Sequence, residues 1–149
     1  MSLQEQIEQA YKESFRTGQK SEVLVFRSIK AALKNEEIAL RAKELTDSQT
    51  LAVLQREMKR RKDAIDLYSK GGRAELAATE QAESAIIQRF LPAELSDAEL
   101  QAIVQDTIKQ IGASAPADQG KVMKAVMPKV QGRADGGKIS ALVKTLLSG

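Results

Sequence analysis

The stretch Arg89-Phe90-Leu91-Pro92-Ala93-Glu94-Leu95-Ser96-Asp97-Ala98-Glu99-Leu100 decides the architecture. A residue before proline avoids helical torsions, so a helix arriving from the N-terminal side must end by Leu91. Ser96 with Glu99 three residues later is an S-x-x-E capping box, placed just ahead of the apolar positions Leu100, Ile103 and Val104. A stop followed so closely by a start predicts two helical parts, 1–92 and 93–149.

Upstream of this break, apolar residues recur at helical spacing and strict alternation is rare. A first helix is expected over Leu3–Thr17, with Leu3, Ile7, Tyr11 or Ala10, and Phe15 inward and Gly18 closing it. Ser21 is the expected cap of a second helix that turns Val23, Phe26, Ile29, Leu33 and Ile38 inward. Thr46 and Gln49 form another capping box and open a third helix with Leu51, Leu54, Met58, Ile65 and Tyr68 on one stripe. Gly71-Gly72 ends it, and a fourth helix is expected over Ala74–Phe90. Downstream, the stripe Leu100, Ile103, Val104, Thr107 or Ile108, and Ile111 runs to Gly112. A loop with Pro116 leads to a helix carrying Val122, Met123, Val126, Met127 and Val130. Pro128 within it predicts a kink or an early stop. A last helix carries Ile139, Leu142, Val143, Leu146 and Leu147. The fold class is therefore all-α: long N-terminal helices, then a small C-terminal three-helix domain.

Composition narrows the chemistry. The 149 residues include no cysteine and no histidine, which excludes disulfides, thiolate metal sites, thiol nucleophiles and a Ser-His-Asp triad. There is no S-x-x-K and no EF-hand spacing, so no catalytic residue, cofactor or metal is expected. Carboxylates such as Glu36-Glu37 and Glu80/Glu83 fall on polar helix faces and are expected to be solvated. No apolar run approaches the ~20 residues that span a bilayer, so no membrane partner is expected. The N-terminus MSLQEQIEQAYKES lacks a basic region followed by an apolar core, which predicts a cytoplasmic location.

The charge is uneven. From Ile111 to Gly149 there are six basic residues and two acidic ones, while the whole chain carries only +3. A basic tail on a near-neutral body suggests an anionic partner. Gly132-Arg-Ala-Asp-Gly-Gly-Lys-Ile139 nearly matches a phosphate-binding G-x-x-x-x-G-K-[ST] loop, but Ile139 replaces the metal-holding hydroxyl and a helix precedes it where a strand is needed. The same segment reads better as a glycine-rich turn between two helices, with Asp135 capping the second and Arg133 and Lys138 beside exposed N–H groups. Lys121, Lys124 and Lys129 lie just upstream. A second basic run, Lys59-Arg60-Arg61-Lys62, points around most of its helix and is expected to serve structure, through an acid such as Glu57 or by lying along apolar surface. All five aromatics belong to the first part, so base stacking by the tail is not expected.

Three pieces together carry a family resemblance: Arg56-Glu-Met-Lys-Arg-Arg-Lys-Asp-Ala-Ile with Gly72-Arg73, then Phe90-Leu-Pro-Ala-Glu-Leu-Ser, then Gly120-Lys-Val-Met-Lys through Lys144. In order and spacing, over about Leu3 to Leu147, they resemble the YqeY proteins. These share their fold with the C-terminal tail of GatB, a subunit of the glutamine-dependent aspartyl/glutamyl-tRNA amidotransferase, where the tail engages tRNA away from the active centres. The resemblance implies a non-catalytic accessory protein that contacts tRNA, with Lys121, Lys124, Lys129, Arg133 and Lys138 as candidate RNA-binding residues and no DNA partner. An alternative is a helical module docking on an amidotransferase or aminoacyl-tRNA synthetase. A third reading, carbon–nitrogen ligation with glutamine as amide donor, would come by family association alone.

Overall fold

Short-range sequence signals set most helix ends. In a computed structural model, which describes residues 1–148, the chain forms seven α-helices and one short 3-10 turn, with no strand among the described residues. The helices are α1 (Leu3–Arg16), α2 (Lys20–Leu40), α3 (Asp47–Lys70), α4 (Ala74–Gln88), α5 (Asp97–Ile111), α6 (Gln119–Val130) and α7 (Gly136–Ser148). Two compact units part between Leu91 and Pro92.

In the first unit, Ser2 and Glu5 form a complete capping box on α1, and Thr46 and Gln49 another on α3. Ser21 does not cap α2, which begins earlier, behind Gln19, without a side-chain cap. The core joins Ile7, Val25, Phe26, Ile29, Leu33, Leu45, Val53, Leu54, Met58 and Ile87. Phe90 stands edge-on to Phe26, ring centroids 5.8 Å apart, a favoured aromatic arrangement.

Two apolar residues expected inward face out. Phe15 is 64% exposed and Ser14 is buried in its stead. Helical pitch explains the exchange. Seven residues beyond Ile7 nearly complete two turns, whereas eight overshoot the stripe. Ser14 satisfies its hydroxyl locally by donating to the Tyr11 carbonyl, 2.7 Å. Likewise Ile38 is 66% exposed while Glu37, one turn beyond Leu33, is buried. The Glu37 carboxylate accepts from Gln4 Nε2 at 2.6 Å and from Lys34 Nζ at 3.3 Å. These contacts hold its pKa below the ordinary value of 4.5, the Gln4 hydrogen bond contributing most.

In the second unit, Ser96 accepts from the Glu99 amide at 3.1 Å to start α5, and Gly112 closes it at φ 68°, a left-handed torsion that glycine adopts without strain. Ile111 is exposed and Thr107 fully buried, its hydroxyl donating to the Ile103 carbonyl. A 3-10 turn at Pro116–Asp118 leads into α6. Pro128 does not stop α6 at once; the helix continues to Val130. Proline removes only the N–H that would have reached the Lys124 carbonyl. The core is wholly aliphatic: Leu100, Val104, Val122, Val126, Val130, Ile139, Val143 and Leu147.

Candidate nucleic-acid interface

Helix α6 buries Val122, Val126 and Val130, one turn apart. At 100° per residue, Lys121 and Lys124 fall on the opposite side of the cylinder, three residues apart and therefore adjacent on one face. Both are exposed, and neither has an ion-pair partner among the described residues. Asp118 is the nearest acid in sequence. Its carboxylate accepts from the Ser114 and Ala115 amides at 3.1 and 3.3 Å, which with the field of Lys121 hold its pKa below 3.8.

Lys129 lies on the flank of α6. Its Nζ donates to Thr107 Oγ1 at 2.9 Å and to Gln110 Oε1 at 2.7 Å, tying α6 to α5. Both acceptors are neutral, so the charge is anchored without being cancelled. Arg133 is half-buried in the turn after α6, and its Nε donates to the Ala93 carbonyl at 2.8 Å. The Leu95 amide donates to the Arg133 carbonyl at 2.9 Å. The segment leading into α5 thus straps the turn and aims the guanidinium, whose terminal nitrogens have no protein partner among the described residues.

Lys138 differs from the other four. Its Nζ is ion-paired to Asp97 Oδ1 in the first turn of α5. The hydrogen bond donated to Asp97, then the charge of that carboxylate, with a smaller contribution from Glu94, raise the Lys138 pKa above 10.5. At the start of α7, Asp135 takes the capping position, accepting from the Gly137 amide at 3.1 Å. A carboxylate therefore already meets one of the exposed N–H groups that the sequence offered to phosphate.

With α5 included, the second unit holds seven basic and six acidic residues, so the basic excess of the tail becomes a polarity within the unit. The acids Glu94, Asp97, Glu99 and Asp106 precede Lys109, and cations dominate from there on. Lys144, on α7, is a further exposed cation outside the five candidates.

Three cations of the basic run in α3 are ion-paired. Lys59 pairs with Asp63, Arg60 with Glu57, and Arg61 with both Glu80 and Glu83 of α4. Glu36 pairs with Arg56 at 2.8 Å. The carboxylates expected to be solvated are thus bound to cations on other turns or other helices. A groove of about 370 Å³ beside α2 is lined by Glu57, Arg60, Arg61 and Glu80, which are already paired among themselves. No group of three or more acids among the described residues could hold a metal, and no described helix is long and apolar enough to cross a membrane.

The YqeY family model, described as Yqey-like protein, aligns with residues 4–147. The chain belongs to the YqeY family. No curated protein matches it. Within this YqeY protein, the three family-like stretches occupy distinct structural places: the Arg56–Ile65 run supplies the α3 ion pairs, Phe90–Ser96 joins the two units, and Gly120–Lys144 builds α6, the turn and α7.

Proposed function

We propose that this YqeY protein is a non-catalytic accessory factor that binds tRNA through the α6 side of its second unit. The observation that carries the reading is the pair Lys121 and Lys124, exposed opposite the valine seam and in no ion pair among the described residues, with Asp118 reaching Lys121 only through its field. Lys129 and Arg133 add cations that hydrogen bonds to neutral acceptors hold in place. The likeness to the GatB tail supports RNA as the polyanion. Without aromatic side chains, the unit has no stacking platform, so recognition rests on the shape and phosphates of folded RNA. Neutralising about four phosphates gives a log–log salt slope of about −3 to −4. The test is tRNA binding by wild type and by Lys121→Glu/Lys124→Glu. The double reversal should weaken all tRNAs alike; undiminished binding would reject the surface.

A second reading rests on a different observation. Leu67 and Leu76 are exposed on either side of the Gly71-Gly72 turn between α3 and α4. They would suit an apolar contact of a helical module docking on an amidotransferase or aminoacyl-tRNA synthetase. Recovery of a protein partner after nuclease treatment, lost on Leu67→Glu, would favour it.

A further inference from the structure

The five candidate cations are not equivalent, and the difference lies in what occupies them. Lys121 and Lys124 face solvent, Lys129 and Arg133 hold neutral acceptors, and Lys138 alone holds a carboxylate among the described residues. That carboxylate is itself displaceable. The Asp97 side chain is 84% exposed and that of Lys138 55% exposed, so the pair sits in water and is worth little to the fold. Asp97 also ends the Ala93–Asp97 strap, whose Ala93 carbonyl and Leu95 amide grip Arg133 at its side chain and backbone. An anion seated on the Arg133 guanidinium therefore lies next to the strap that carries the competitor of Lys138.

We infer that Asp97 is a built-in competitor for the polyanion: RNA engages Lys121, Lys124, Lys129 and Arg133 first, and gains Lys138 only by exchanging the Asp97 carboxylate for a phosphate. This rests on the tRNA-binding reading and refines it. The strap thereby lowers affinity for scattered or short polyanions and reserves the fifth contact for a ligand already held by the other four. No bond is made or broken; one ion pair replaces another, and Asp97 is released to water.

The experiment measures a folded tRNA transcript at low salt against wild type, Asp97→Asn, Lys138→Ala and the Asp97→Asn/Lys138→Ala double variant. Glu99→Gln serves as a charge-matched control in the same helical turn. Asp97→Asn should tighten binding by about 2- to 5-fold, the range expected for releasing an exposed ion pair. Lys138→Ala alone should weaken binding by about twofold or more, and in the double variant it should erase most of the gain from Asp97→Asn. Glu99→Gln should fall short of Asp97→Asn. No gain, or a gain surviving in full without Lys138, overturns the competitor while leaving tRNA binding intact. The same set is eluted from heparin-agarose with salt. If tRNA does not bind but the Lys138-dependent shift appears on heparin, the competitor stands and the tRNA reading falls. If neither polyanion is retained, both fall. Unfolding followed by circular dichroism verifies that each variant is folded.

Discussion

The two units use their ion pairs differently. In the first, ion pairs link separate helices or distant turns: Lys30 with Glu8, Arg56 with Glu36, Arg61 with Glu80 and Glu83, and Arg89 with Glu22, while cations such as Lys12, Lys43 and Lys70 form no ion pair among the described residues. In the second, Lys121 and Lys124 form no ion pair among the described residues, Lys129 and Arg133 hold neutral oxygens, and Lys138 of the candidate set is ion-paired to an acid. Their cores differ in parallel, one aromatic-centred and the other purely aliphatic. A unit that spends its cations on its own carboxylates gains internal cross-links, while one that leaves them uncompensated keeps a field for a partner. The near-equal count of bases and acids in the second unit hides this, because charge is separated along the unit.

The largest expected effects test whether the cores are separate. Phe26→Ala should destabilise the first unit by about 3–5 kcal/mol, and Leu100→Ala the second by about 2–5 kcal/mol. Native-state hydrogen exchange reads each unit. Loss of protection in both units from either substitution would show that the division at Leu91 and Pro92 does not describe how the protein unfolds.

The Arg61 bridge comes next. Its side chain is only 13% exposed and spans two glutamates. Removing it strands both carboxylates, so Arg61→Ala should cost about 1–3 kcal/mol, reduced from the fully buried case because the glutamates retain some water. Lys124→Ala should be near neutral for stability. Denaturant melts giving equal losses for the two would undo the contrast between the units.

Acid sensitivity is the smallest effect. Glu37 and Asp118 both have lowered pKa values, so each contributes stability that is present above its ordinary value, 4.5 and 3.8 respectively, and is lost as pH falls through the folded value. Glu37→Gln should flatten the acid slope of the first unit, and Asp118→Asn that of the second. Lys138 runs the other way: its raised pKa gives a contribution present below 10.5 and lost as pH rises through the higher folded value. Unchanged melting-temperature profiles in the variants would contradict these assignments.

What was legible in the sequence was local. The Thr46–Gln49 box, the Leu91-Pro92 stop, the Gly112 closure and the Asp135 cap each depend on a few neighbouring residues, and each is present. Stripe edges were less legible, because one residue of helical drift trades Phe15 for Ser14 and Ile38 for Glu37, and polar residues with a local or reachable partner can take the inward place. Least legible were the partners of charges. Arg61 belongs to a run expected to serve structure, but its partners Glu80 and Glu83 lie on another helix. Lys138 carried no local sign that Asp97, far upstream, would sit on it. Candidate cations could be named from sequence; which of them are uncompensated is a property of the tertiary structure.

The most direct test of the charge asymmetry is the affinity of tRNA as a function of ionic strength, for wild type and for Lys121→Glu/Lys124→Glu. The account predicts a wild-type log–log slope of about −3 to −4, flattened by about two phosphate contacts in the double variant with affinity lowered at least about tenfold at low salt. A flat salt dependence, or the same slope and affinity in both proteins, would contradict it.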